Sequence, residues 1–309
     1  MKIKIKNLVV IVAIGLLILS LAACTTNNKG EKQASSQETT EQTKDETVIK
    51  FGLAPDEDTA AILRKYEPFI TYLEEEAGYT IEPYVGADYT AVIQAMDSNH
   101  LDAAWFGPSE YVLATDQVKS GVEAFAKAVQ TEDSVKYRTA FVVKADSGYK
   151  SIDDLKGKTI AFTDPASTSG HIFGRYSLVE EGIVPEEYFE NVIYSGSHDA
   201  ALLSILNDEV DVAAVSSRKI PGFIESGVIK EGDISIIYES VEIPADPLTY
   251  RSDLPEEVKT ALKDALINNP DKVKEVLSGT EFSHFEEAND ADYDIVRNAY
   301  KVAGLEPEI

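Results

Sequence analysis

Two stretches of this chain read alike, residues 94–107 (QAMDSNHLDAAWFG) and 203–216 (LSILNDEVDVAAVS). In each, an amphipathic helical run ends in polar residues and an apolar-Asp-apolar-Ala strand follows. Leu101-Asp102 matches Val210-Asp211. Helix–turn–strand units often look alike by chance; the stronger reading is a chain built from two similar α/β lobes. Ligands of open α/β sheets sit beyond the carboxyl ends of the strands, and clefts between lobes are favoured sites. Two such lobes would point the loops Gly107-Pro108-Ser109 and Ser216-Ser217-Arg218 at one cleft.

The rest of the pattern agrees with that class. Residues 48–53, 79–85, 103–106, 139–143, 159–162, 191–194, 210–215 and 234–238 read as strands. Residues 90–97, 169–181, 199–207, 255–268 and 290–303 read as helices. Ile62, Tyr66, Phe69, Ile70, Leu73 and Ala77 share one face of a further helix. The alternation argues for α/β units with parallel strands.

The N-terminus stands apart. Lys2, Lys4 and Lys6 precede an apolar run from Leu8 to Leu19, and Leu21-Ala22-Ala23-Cys24 ends in the one cysteine of the chain. This is the build of a secretion signal, and the tetrapeptide resembles the bacterial lipobox. Residues 1–23 are thus expected to be a signal peptide and Cys24 to carry lipid; an uncleaved membrane helix is the plainer alternative. Residues 25–46 contain no Leu, Ile, Val, Phe, Tyr or Trp. Such a segment cannot offset its ordering entropy, so 24–46 read as the lipidated cysteine and a flexible tether.

Charge and cysteine usage exclude several classes. The 309 residues carry 28 Lys+Arg against 54 Asp+Glu, a net charge of −26. Nucleic-acid affinity comes mostly from basic side chains on phosphates, so a nucleic-acid partner is excluded. A membrane contact held by charge is disfavoured likewise. One cysteine permits no intrachain disulfide and no cysteine-built zinc site.

The segment Asp164 to Gly170 (DPASTSG) lies between a strand and a helix. It sets three hydroxyls and free backbone N–H groups at a helix N-terminus, which suits an anion. One hydroxyl is enough for an N-cap. Without Gly-Lys-Ser/Thr it is no P-loop. His198, in Ser197-His198-Asp199, would stand at the N-terminal edge of another helix and could donate to an oxyanion; a loop histidine is more often a surface or capping residue. Ser197, His198 and Asp199 are consecutive and cannot form a nucleophilic triad. His100, His171, His198 and His284 show no metal-ligand spacing, so no metal and no cofactor are expected.

With these residues in view, the chain resembles the substrate-binding proteins of phosphonate/phosphite/phosphate ABC importers, the PhnD-like group. The landmarks run from about Val48 to about Leu277: Phe51-Gly52, Asp88-Tyr89, residues 102–107, Tyr137, residues 164–170, Ser197-His198-Asp199 and residues 243–247. The resemblance implies a two-lobed periplasmic-binding-protein (type II) fold that closes on its ligand like a hinge. It implies that Ser167, Thr168, Ser169 and His198 bind the phosphorus oxyanion, that Tyr89 and Tyr137 reach in from the first lobe, and that Asp246 accepts from a ligand group. Trp105 and Arg218 are further candidates for lining or closing the pocket. Neutral donors would then hold the anion without a buried Lys or Arg. Some aminoalkylphosphonate-binding relatives place a Glu where this chain has Arg218. The residue is expected to close the pocket, to pair with Asp246 or another acid, or to face solvent, and a small ligand such as phosphite, phosphate or methylphosphonate is favoured.

The expected division is lobe one at 47–138 plus 249–309 and lobe two at 139–248. The expected function is an extracytoplasmic, lipid-anchored solute receptor of a Gram-positive-type cell membrane. It would act as a monomer and hand a small phosphorus oxyanion to an ABC permease and its ATPase. The alternatives are a same-fold receptor for a sulfonate or other small organic anion, a sensor module, or a secreted enzyme. An enzyme would need a metal cluster or an activated nucleophile, and the sequence offers neither.

Overall fold

The computed structural model describes residues 47–305. The signal peptide, Cys24 and the tether lie outside the described residues. Among the described residues no helix is long and apolar enough to cross a membrane.

The chain opens with β1 (Val48–Leu53), α1 (Thr59–Ala77), β2 (Thr80–Val85), α2 (Tyr89–Asp97), β3 (Ala103–Trp105), α3 (Pro108–Gln117) and β4 (Val122–Gln130). It then builds β5 (Thr139–Lys144), β6 (Thr159–Phe162), α4 (Phe173–Glu180), a short α5 (Pro185–Tyr188), β7 (Asn191–Tyr194), α6 (His198–Leu206), β8 (Val212–Ser216), α7 (Ile220–Glu225) and β9 (Ile234–Glu239). It closes with β10 (Pro247–Arg251), α8 (Glu256–Ile267), α9 (Pro270–Val276), β11 (Phe282–Glu286) and α10 (Asp294–Val302).

Two sheets result. The first runs β11-β4-β10-β3-β1-β2 and the second β7-β6-β8-β5-β9. In the first, β1 is parallel to β2 and β3, and β10 is antiparallel to β3 and β4. In the second, β6 is parallel to β7 and β8, and β5 is antiparallel to β8 and β9. The expectation of parallel strands therefore holds for three strands of each sheet and fails for the rest. Both sheets are mixed, because strands reached by the passages between sheets enter in the opposite direction.

The repeated sequence is a repeated structure, position for position. Asn99 and Asp208 are the two non-glycine residues described with positive φ, at 58° and 59°. Each lies just past its helix. Leu101 N–H returns to Ala95 O, and Val210 N–H to Ser204 O. The carboxylate of Asp102 accepts Lys50 N–H of β1 at 2.9 Å, and that of Asp211 accepts Thr159 N–H of β6 at 2.9 Å. Each aspartate thus ties its strand to the neighbouring parallel strand. Asp88 and Ser197 cap α2 and α6 through Ala91 N–H and Ala200 N–H. Tyr89 and His198 become the first residues of equivalent helices.

One core packs the first sheet against α1, α8 and α9. Trp105 sits at its centre, with the rings of Tyr66, Phe69, Phe282 and Phe285 5.0–5.3 Å from its own. Each such side chain contributes about 1.5–3 kcal/mol when fully buried. Separate apolar clusters cover the two faces of the second sheet.

The helix expected over 169–181 begins differently. Thr168–Ile172 form one π-helical turn before α4. Ile172 N–H reaches Ser167 O at 3.0 Å. Such wide turns concentrate at functional sites. The turn itself docks at the end of β6: Thr163 N–H, just past the strand, bonds Gly170 O at 2.9 Å. A Cβ on Gly170 would lie 2.2 Å from Thr163 Oγ1, and Thr163 is fully buried. Gly170→Ala is expected to destabilise the protein by about 1–3 kcal/mol or more. Urea unfolding reads it, and an unchanged midpoint would show that this docking carries no weight.

Candidate functional site

The carboxyl ends of β1, β3, β6 and β8 converge on one cavity of about 50 Å³. At roughly 10–15 Å³ per water centre it has room for only a few water-sized groups. Tyr89, Trp105, Tyr137, Ser167, Thr168, Ser169, His198, Arg218 and Asp246 all line it. Sequence reasoning missed Asp56, Glu110, Lys219 and Glu281, which line it as well.

The hydroxyl run forms one wall. Ser167 Oγ accepts Gly170 N–H at 3.1 Å, which leaves its proton free to donate elsewhere. Thr168 Oγ1 accepts the backbone N–H of Ser109 at 2.9 Å and stands 2.8 Å from Ser109 Oγ. Ser109 Oγ gives its one proton to Ala166 O at 2.7 Å, so Thr168 is the donor between the two hydroxyls. These bonds join α3, beside the first sheet, to the loop of the second. Gly107 makes the approach feasible, because a Cβ there would meet Thr168 Oγ1 at 3.0 Å.

His198 is 3% exposed. Its Nδ1 accepts Ser216 N–H at 3.3 Å and lies 3.1 Å from Thr163 Oγ1. Nε2 therefore carries the proton, a neutral donor. Burial drives the imidazole down to about 3; Lys219 and Arg218 add to the effect and Asp56 opposes it. The positive end of α6 also favours the neutral form, and burial is the largest cause. His171 is also buried, and burial takes it to about 4. Its Nδ1 donates to Pro165 O and its Nε2 accepts from Tyr194 Oη, so it braces the loop.

The opposite wall is charged, which overturns the expectation of a site without a buried Lys or Arg. Arg218 and Lys219 occupy one 3₁₀ turn, Ser217–Lys219, directly after β8. Arg218 is 8% exposed, so the solvent-facing alternative is excluded. Its guanidinium lies 3.5 Å from the centroid of the Tyr137 ring and bonds Asp246 Oδ2. Lys219 Nζ meets Asp56 Oδ2 at 2.7 Å. Burial and then Arg218's carboxylate partners act on the guanidinium in opposite senses, and it stays charged. Burial pushes the Asp246 carboxyl up, while Arg218 pulls it down. Asp246 Oδ1 has no partner.

Some of the missed residues had signals. Lys219 follows Arg218 at the end of an echoed strand, and Asp56 lies in the loop leaving β1, where the rule of carboxyl ends applies. Glu281 precedes β11, a short strand with a polar middle that periodicity does not reveal. Among the described residues no cluster of His, Cys, Asp or Glu is arranged to hold a metal ion.

Residues 51–293 match the family described as the periplasmic substrate-binding protein of phosphonate ABC transporters. The chain is 28% identical to the phosphonates-binding periplasmic protein of Escherichia coli over 72% of its own length and 66% of that protein's. It is 27% identical to a phosphate-import protein of Mycolicibacterium smegmatis, over 93% and 94% of the two chains. Its fold superposes on a binding-protein component of a phosphonate ABC transporter from Pseudomonas aeruginosa with a TM-score of 0.78 and 26% identity, covering 84% of this chain and 87% of the other.

The two buried histidines generate a pH prediction. Below the ordinary histidine value of 6.5, the unfolded chain takes up protons that folded His198 and His171 refuse until about 3 and about 4. Their contribution to stability therefore falls as pH drops through that window. In nitrogen-15 correlation spectra, His198 is expected to show the Nε2–H tautomer unchanged from about pH 8 to about pH 5. A titration near 6.5 would sink the assignment.

Proposed function

The chain belongs to the family of periplasmic substrate-binding proteins of phosphonate ABC transporters, and from that premise we propose that it captures a small phosphorus oxyanion in this cavity. Phosphite, phosphate and small phosphonates such as methylphosphonate fit the reading. The observation that carries it is the pairing of donors around so small a space: the Ser167 and Ser169 hydroxyls and His198 Nε2–H on one side, Arg218 and Lys219 on the other. Thr168 gives its proton to Ser109 and frames that wall rather than donating to the ligand. Tyr89 Oη, buried and without a partner, adds a further donor. Tyr137 and Trp105 supply the aromatic wall.

Asp246 sets the preference within oxyanions. Its free Oδ1 is an acceptor, suited to a ligand P–OH and repelled by a bare oxygen. Sulfate and sulfonates carry no such proton near neutral pH, so phosphorus is favoured. Its other oxygen is taken by Arg218, so the ammonium of an aminoalkylphosphonate would have to displace the guanidinium.

The lobes in this reading are 47–138 plus 247–309 and 139–246, hinged at the two passages between the sheets; the second boundary moves from the expected 248/249 because Pro247 and Leu248 pair within β10 of the first sheet. Closure would join Ser109 to Thr168 and Asp56 to Lys219. The closed receptor would hand its ligand to an ABC permease and its ATPase from the outer face of the cell membrane. It would be held there as a monomer by lipid on Cys24, after loss of residues 1–23, in a Gram-positive-type arrangement. No catalytic step belongs to this function.

Calorimetric titration with phosphite, methylphosphonate, phosphate, 2-aminoethylphosphonate, sulfate and taurine tests the ligand, with small-angle scattering of the same samples reading closure. The first three are expected to bind and to compact the protein. Ser167→Ala and His198→Ala are each expected to weaken binding about ten- to a hundredfold, the effect of one hydrogen bond to a charged group. Full affinity in both variants would refute the site. A second check concerns the anchor: Cys24→Ser is expected to leave an unprocessed precursor or release the protein into the medium. A normally processed membrane lipoprotein from that variant would refute lipidation.

A further inference from the structure

Glu110 is a carboxyl group in the site that nothing in the protein neutralises. It stands in the first turn of α3 and is 1% exposed. Its Oε2 accepts the backbone N–H of Gly107 at 2.7 Å, closing the capping turn of the helix. Its Oε1 is buried and has no hydrogen-bond partner, and the residue lines the cavity. Among the described residues no ion pair includes it. The two cations of the cavity are engaged elsewhere, Arg218 with Asp246 and Glu281, Lys219 with Asp56 and Glu57.

The groups that face it make an ionised form costlier still. Asp56 from the loop after β1, Asp164 from the loop after β6 and Asp246 from the passage before β10 all act to raise it, behind burial as the largest cause. Tyr89 of α2 and Tyr300 of α10 are close enough to feel its charge, and both are held protonated, mainly by burial. His198 across the cavity is neutral. The bond from Gly107 and the positive end of α3 pull the other way, but burial outweighs the bond. An unpaired buried carboxylate costs several kcal/mol, which a proton removes.

We propose that Glu110 enters the site as a neutral carboxylic acid and donates its Oε1 proton to an oxygen of the bound oxyanion. This deepens the ligand reading above and rests on it. With Oε2 fixed as acceptor for Gly107, the proton belongs on Oε1, whose one available acceptor is a ligand. Glu110 and Asp246 then divide the work: one carboxyl gives a hydrogen bond and the other takes one. A ligand is selected that offers one bare oxygen and one hydroxyl, each in its own place. No bond is made or broken and the proton stays on Glu110.

The role has a pH signature. As pH rises through the elevated value of Glu110, the site loses a donor and gains a repulsive charge, so affinity falls. Glu110→Gln keeps a donor of the same shape at every pH, and Glu110→Leu keeps none.

The test is methylphosphonate titration by calorimetry from about pH 6 to about pH 9. Glu110→Leu is expected to weaken binding about ten- to a hundredfold at the acid end. Glu110→Gln is expected to restore most of that loss and to outlast the wild type at the alkaline end. Infrared difference spectra of the wild type are expected to show a protonated-carboxyl C=O band that shifts on binding and is missing in Glu110→Gln. Leu binding as tightly as Glu, Gln binding as weakly as Leu, or absence of that band overturns the role while the ligand reading stands. A wild-type chain that binds none of the phosphorus oxyanions overturns the ligand reading and this role with it.

Discussion

Two consecutive buried cations govern this cleft. Arg218 and Lys219 belong to the second sheet, while Asp246, Asp56 and Glu281 approach them from the side of the first. Removing Arg218 would leave Asp246 a buried charge without its ion-pair partner, at a cost of several kcal/mol. The attraction holds only while the sheets are close, so the pairs couple the distance between the lobes to the electrostatics of the cavity. The neutral contacts then have a fixed frame. Thr168 meets Ser109, and His198 N–H meets Asp56 O at 3.0 Å, both across the same gap.

Much of this was legible in the sequence because the repeat carries its own constraints. A helix that must turn sharply into a buried strand needs a residue tolerant of positive φ, then an aspartate to bind the next strand's N–H. Asn99 with Asp102 and Asp208 with Asp211 meet both needs. The hydroxyl run was visible because it exceeds what capping requires, whereas His198 stood out only through the family resemblance. The antiparallel strands were not. β10 begins with Pro247, and β4 has no clean alternation of buried and exposed positions. Their place is fixed by partners far along the chain, which local periodicity cannot report. The buried charges were hidden for a related reason. A Lys in a loop is ordinarily solvated, and only the meeting of Lys219 with Asp56 shows otherwise.

The likeness of the lobes also explains why the site is asymmetric in chemistry though symmetric in frame. Equivalent helices, α2 and α6, present their first residues to the cavity, Tyr89 from one and His198 from the other. One is a phenol without a partner, the other an imidazole whose tautomer is set by Ser216. The frame fixes where a donor stands, and the side chain alone decides what kind of donor it is.

The π-helical turn at Thr168–Ile172 has a consequence for how this site can change by insertion and deletion. Such a turn holds one residue more than the α-helical path between the same ends. Loss of one residue there would let the backbone settle into a regular helix continuous with α4, at little cost to packing further along. Every side chain before the deletion would then rotate by about 100° about the helix axis. The hydroxyls of Ser167 and Thr168 would turn away from the cavity while the rest of the fold stayed in place. The proposed anion site therefore hangs on chain length as much as on residue identity: a single-codon deletion would erase it where several point substitutions would only weaken it.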